Sequence, residues 1–291
     1  MRHHGRYSYS AIPDRPDFEW PEGKRLAVYI GMNLECFAFG EGLGASLAPG
    51  GPQPDVLNYA WRDYGNRVGV WRMLELFDSL NLPTTALVNS AMYSHAPGVV
   101  DAFRARGDEI AGHGRTNAER QGNLLEEDEA ALIAEAMEVL TRAEGRSPKG
   151  WLGPWISESA TTPDLLDEVG YEYLLDWCHD DQPVWMKTRK GRILAVPYPQ
   201  ELNDIPQIVG RGKEGSDFAD MIIDSFDVML LESEQRPLVM GIALHAYLMG
   251  QAHRFKHLKR ALETIREAAD DRVWFTTAGA INDHYRSLGM E

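Results

Sequence analysis

Strand-like and helix-like segments alternate about seven times along this chain, with no linker and no internal repeat between them. That alternation constrains the fold most: it requires a parallel sheet with helices on its faces. The first strand reads Arg25-Leu26-Ala27-Val28-Tyr29-Ile30-Gly31-Met32-Asn33. A continuous apolar run of this kind is buried on both faces, as parallel strands are. Further strands are expected at Thr84–Asn89, Glu109–His113, Lys149–Leu152, Tyr171–Asp176, Arg192–Tyr198, Leu238–His245 and Arg272–Thr276. Helices are expected from Tyr64 to Leu80 with Val70, Met73, Leu74 and Phe77 on one face, and over Pro97–Arg106, Glu126–Ala143, Thr162–Val169, Asp217–Leu231 and Arg254–Ala269. A last helix follows the final strand. Residues 38–55, rich in Gly and Pro, read as a long loop.

No Gly-rich phosphate loop follows the first strand, so a closed or nearly closed barrel fits better than an open doubly wound sheet. The 291 residues could hold two domains, but α/β barrels of this length are routinely one. Residues 1–23 read as an N-terminal arm, carrying His3 and His4 as a mobile stretch rather than as ligands, and residues 24–291 as one barrel domain. The formal net charge of −15 argues against nucleic-acid and anionic-membrane partners while leaving room for a small molecule. Two cysteines, Cys36 and Cys178, make no disulfide framework. The first residues lack an apolar signal core and no run is long enough to span a membrane, so the expected setting is cytoplasmic.

In a barrel the chemistry sits at the carboxyl ends of the strands. Those ends carry Asn33 and Glu35, Asn89, His113, Trp151, Asp176, Tyr198 and His245. The densest stretch is Gly112-His113-Gly114-Arg115-Thr116-Asn117, which alone would pass for a polar turn. Glu35 could be a rim carboxylate or a general base whose pKa burial raises. His245 could be a satisfied strand-end histidine or an acid for a leaving amine. Trp155 joins Trp151 and Tyr198 as a candidate pocket wall. Cys36 lacks a clear histidine partner, and His253 with His257 on a basic helix reads as a solvated face.

Nearly the whole chain, from Arg25 to Tyr285, resembles the polysaccharide deacetylase superfamily, in the branch that includes allantoinase-like cyclic-amide hydrolases. The resemblance rests on Tyr64-Gly65-Asn66-Arg67-Val68-Gly69-Val70-Trp71-Arg72, Gly112-His113-Gly114, Gly150-Trp151, Asp180-Asp181-Gln182-Pro183, Asn203-Asp204 and Leu244-His245-Ala246-Tyr247-Leu248-Met249-Gly250. It implies a distorted (β/α) barrel with seven strands, hydrolysis of carbon–nitrogen bonds other than peptide bonds, and a homo-oligomer. It implies Glu35, His113, His245 and Asn117 as catalytic positions, with Asn33, Trp151, Trp155, Tyr198, Asp176 and Asp204 toward substrate.

Metal-using members carry an Asp-Asp pair after the first strand and a pair of nearby histidines. Here the first site reads Asn33-Leu34-Glu35-Cys36, and the second pairs His113 with Asn117. Zinc wants three strong protein ligands plus water, and a carboxamide oxygen is a poor one. The cofactor expectation is therefore none, or one divalent ion such as zinc on Glu35, His113 and Asn117. Three functions follow as expectations: an allantoinase-like hydrolase of a small cyclic or linear amide, a metal-dependent carbohydrate N-deacetylase, or an inactive barrel that binds a small molecule.

Overall fold

The computed structural model describes residues 3–47 and 50–290. Its strands are β1 (Leu26–Leu34), β2 (Thr84–Val88), β3 (Glu109–Gly112), β4 (Gly150–Trp151), β5 (Tyr173–Leu174), β6 (Val184–Lys187), β7 (Arg192–Ala195), β8 (Leu238–His245) and β9 (Val273–Thr276). They form one sheet in the order β6-β7-β5-β4-β3-β2-β1-β8. β1 is the hub, buried along its whole length. One of its edges pairs with β8; the other pairs with β9 over Leu26–Tyr29 and with β2 over Ile30–Leu34. All ladders are parallel except the β6–β7 hairpin.

The sheet is a half-barrel. No ladder joins β7 to β8; residues 196–203 cross the gap, tied by a single bridge between Asn203 and Ala243. Tyr29 Oη donates to the Pro197 carbonyl at 2.6 Å, closing the same gap from inside. The seven-stranded barrel expected from sequence is β1, β2, β3, β4, β5, β7 and β8, curled but not sealed.

Side-chain parity decides what faces the interior, because strand residues alternate between faces. On β1, Leu26, Val28, Ile30, Met32 and Leu34 pack with the helices, whereas Ala27 and Tyr29 join Leu87, Ala111, Leu194 and Val239 inside. Continuing each inner column upward gives Asn33, Asn89, His113, Tyr198 and His245.

The helix before β2 starts earlier than its apolar periodicity predicts. It begins at Val56, where Asp55 accepts from the Asn58 amide at 3.0 Å. Val56 and Leu57 are exposed, so this first turn carries no amphipathic signal. Residues 65–69 form a π-helical turn. There Gly65 and Gly69 press on the chain just past β8: a Cβ on Gly69 would stand 2.2 Å from the Ala246 carbonyl, and one on Gly65 2.7 Å from the Tyr247 nitrogen. β6 escapes a sequence reading because it is short and half-exposed. β4 and β5 are shorter than expected.

The N-terminal arm is tied down by ion pairs of Arg6 with Asp164 and Arg15 with Asp180, and by Trp20, which is buried. Among the described residues no helix is long and apolar enough to cross a membrane.

Candidate active site

A cleft of about 420 Å³ opens at the carboxyl ends of the strands, lined by Asn33, Glu35, His113, Asn117, Trp155, Tyr198 and His245 from the sequence expectations. Glu35, one residue past β1, forms the floor. Its Oε1 lies 3.4 Å from His245 Nε2 and 3.6 Å from His113 Nε2. The same oxygen accepts from Asn117 Nδ2 at 2.5 Å. All four side chains are nearly excluded from solvent. Segments far apart in sequence thus deliver a carboxylate, two imidazoles and an amide to one point.

Hydrogen bonds fix which atoms each group presents. His113 Nδ1 sits 2.7 Å from the Leu152 carbonyl, which can only accept, so Nδ1 carries the hydrogen and the Nε2 lone pair faces the cleft. His245 Nδ1 sits 2.6 Å from Asp204 Oδ1, and the His245 amide donates to Asp204 Oδ2 at 2.8 Å. Asp204 is fully buried behind the imidazole, so it orients His245 and does not reach substrate. Burial alone would lower the His245 pKa, but Asp204 and Glu35 on either side push it up to about 10. Burial pushes Asp204 up, against the pull of His245.

Glu35 departs from expectation. Burial does push its carboxyl up, but the charge of His245 and the N–H it turns to the carboxylate outweigh burial and hold it well below the usual carboxylate range. The resting site is an ion pair, with a cationic imidazole between two carboxylates. With its lone pair toward the cleft, His113 accepts hydrogen bonds there and is not a donor for an oxyanion.

Asn117 decides the metal question. The Cys36 backbone N–H donates to Asn89 Oδ1 at 2.8 Å, so the Asn89 nitrogen must point the other way. There it meets the His113 carbonyl and, at 3.1 Å, Asn117 Oδ1. Asn117 therefore spends its oxygen on Asn89 and turns its nitrogen to Glu35. A ligating oxygen is not available where zinc would need one, and His245, held as a cation between Asp204 and Glu35, turns an N–H and not a lone pair to the site. Among the described residues no group of three His, Cys, Asp or Glu side chains is placed to hold an ion. The donor set does not fit a divalent metal.

Trp151 and Asp176, both expected toward substrate, stand elsewhere. Trp151 has the outward parity of β4; it packs against Tyr171 and Leu132 and is buried away from the cleft. Asp176 lies under the wall, accepting from the Gly153 amide at 2.7 Å. Burial first, then Glu158, raises its pKa well above the usual. It braces the turn that carries Trp155 and Ile156, both in the left-handed region with φ of 65° and 50°. Trp155 Nε1 donates to the Asn117 carbonyl at 2.9 Å.

Sequence reasoning missed Phe37, Arg62 and Tyr247, which line the cleft, and Asn89, which orients Asn117. Tyr247 and Asn89 carried a signal, as a motif residue and a strand end. Arg62 carried none, because residues 56–63 fall between the expected loop and the expected helix and were assigned to neither.

Residues 57–174 match the family model for polysaccharide deacetylase. A Schizosaccharomyces pombe protein named polysaccharide deacetylase is 28% identical over 292 residues, 89% of each chain. The crystal structure of a probable polysaccharide deacetylase from Pseudomonas aeruginosa PAO1 superposes with a TM-score of 0.82 at 28% identity, covering 96% of this chain and 97% of that one. The crystal structure of PuuE allantoinase superposes with a TM-score of 0.81 at 28% identity, covering 94% of each chain. With this half-barrel, and with relatives matching it over most of its length, the chain is similar to polysaccharide deacetylases and to an allantoinase of the same fold, and residues 57–174 match the polysaccharide deacetylase family.

Proposed function

We propose that the chain hydrolyses the carbon–nitrogen bond of a small cyclic or linear amide, with water as nucleophile and side chains alone as the reacting groups. The class, hydrolysis of carbon–nitrogen bonds other than peptide bonds, is that of the deacetylase family its residues 57–174 match and of the allantoinase its structure resembles. The observation that carries the finer reading is the convergence of both imidazole Nε2 atoms on Glu35 Oε1 in a cleft whose donor set does not fit a metal.

His113 Nε2 and Glu35 Oε2 are buried acceptors with no hydrogen-bond partner. A water between them donates a hydrogen to each and turns a lone pair toward the substrate carbonyl carbon. As the oxygen–carbon bond forms, Glu35 takes the water proton. The carbonyl π electrons move onto oxygen, and the second N–H of Asn117 supplies a donor for it. A donor of this kind contributes about 2.7–4 kcal/mol in acyl-transfer enzymes. The carbon–nitrogen bond then breaks as His245 Nε2–H protonates the leaving nitrogen. Loss of that charge removes what held the Glu35 carboxyl down. The proton returns from Glu35 to His245 across 3.4 Å, and the ion pair is restored.

The names of the family model and of the S. pombe relative favour a second reading, a metal-dependent carbohydrate N-deacetylase. A panel of ureides, cyclic imides and N-acetyl sugars, assayed with chelator and with added zinc, separates the two. Turnover of a small amide in chelator, abolished in Glu35→Gln, supports the first. Turnover of an acetylated sugar only with zinc overturns it. Tight binding without turnover points to an inactive barrel. The partly buried Cys36 and the exposed Cys178, both free thiols, suit a reducing cytoplasmic setting.

A further inference from the structure

The cleft holds one cation that the hydrolytic cycle does not use. Arg62, in the last turn of the helix Val56–Tyr64, lines its outer wall beside Glu35, Phe37 and Tyr247. Its guanidinium lies over the Phe37 ring, 3.9 Å from the centroid. Nε donates to Asn58 Oδ1 and Nη1 to Tyr247 Oη, each at 3.3 Å. Both partners are neutral. No carboxylate among the described residues forms an ion pair with it, although the chain carries 44 acidic residues against 29 lysines and arginines. The nearest candidate by sequence, Asp63, is taken by Arg67 at 2.6 Å and His95 at 3.4 Å. Arg67 and Arg72 on the following turns are also engaged, Arg72 with Tyr64 Oη and the Gly250 carbonyl.

The placement suits an anion. Glu35 and Asp204 both pair with His245, so neither carboxylate engages the Arg62 guanidinium. Among the described residues Nη2 has no hydrogen-bond partner, and the Tyr247 hydroxyl, which accepts from Nη1, keeps its own hydrogen to give. A guanidinium edge beside a phenol hydroxyl matches a carboxylate, which accepts from both. Tyr247 also packs against His245, with ring centroids 5.8 Å apart, so this corner stands one aromatic ring from the proton donor.

We propose that Arg62, with Tyr247, selects substrates bearing a carboxylate a few bonds from the scissile amide: N-acyl or N-carbamoyl amino acids and carboxylated cyclic amides. The substrate class rests on the hydrolase reading, but the recognition can be measured without turnover.

The test measures calorimetric binding to Glu35→Gln protein of N-acetyl and N-carbamoyl amino acids and of their primary carboxamides. The acids should bind about 10–100-fold tighter than the amides, the range for a charged pair at a partly desolvated contact. Adding Arg62→Met should remove that preference, and Arg62→Lys, which keeps the charge but loses the fork, should restore part of it. Equal binding of acid and amide, or an equal loss of both in Arg62→Met, overturns the proposal. A preference abolished by Arg62→Met in a protein that turns over nothing supports Arg62 and sinks the hydrolase reading. Turnover of carboxamides as fast as acids does the reverse.

Discussion

Asn117 donates to Glu35 at 2.5 Å, and Asn89 is the reason. Because a backbone N–H claims the Asn89 oxygen, the amide chain can run in one direction only, and a nitrogen ends up facing the carboxylate. One side chain thereby replaces a potential metal ligand with a hydrogen-bond donor.

Asn117→His should reverse this. The new imidazole would stand beside His113 and Glu35 and complete a three-ligand set. Zinc affinity should rise by at least about 100-fold over wild type, beyond the effect of losing an outer-sphere partner. Cobalt absorption spectra and calorimetry would show it. Equal cobalt binding by the two proteins would refute the amide-orientation argument.

Asp204→Asn should leave the fold intact and damage the acid. An amide in place of the carboxylate no longer stabilises a cationic His245, so kcat should fall by about 10²–10⁴. The alkaline limb of the pH profile, set in wild type by a group at about 10, should move down. An unmoved limb would remove His245 from the role of acid.

The ion pair also fixes a sign for stability. His245 is raised, so its contribution is complete below the ordinary histidine value near 6.5 and fades as pH rises through about 10. Glu35 is depressed, so its contribution holds above the ordinary carboxylate value near 4.3 and is lost as pH falls below it. The stability gap between wild type and His245→Gln, from urea unfolding, should peak between these two values. It should shrink toward pH 10 by no more than about 1.4 kcal/mol per pH unit.

Ile156→Gly should melt no lower than wild type. A β-branched residue at φ 50° stores about 1–3 kcal/mol, which glycine releases and which offsets the lost packing. The same change should raise KM, because Trp155 loses the rigid turn that aims it at the cleft. A drop in melting temperature together with an unchanged KM would show the turn to be ordinary packing.

Gly69→Ala should cost about 1–3 kcal/mol by forcing a methyl into the Ala246 carbonyl. Since Ala246 follows His245, kcat should fall as well, while an alanine at the open position Gly98 should change neither.

How much was legible in the chain follows from the range of the forces involved. Periodicity and caps are local, so the order of strands and helices, the strand-end placement of Glu35, His113 and His245, and even the Pro97–Arg106 helix were readable from the residues themselves. Alternation along a strand is local too, yet which parity faces inward depends on how the sheet curls, and that removed Trp151 from the cleft. Charge coupling across the barrel is longer in range still. Burial alone suggested a raised Glu35, but the imidazole that overrides it comes from β8, at the far end of the chain. The direction of the Asn117 amide and the empty hand of Arg62 depend on contacts between segments that share no sequence signal, so only the folded half-barrel decided them.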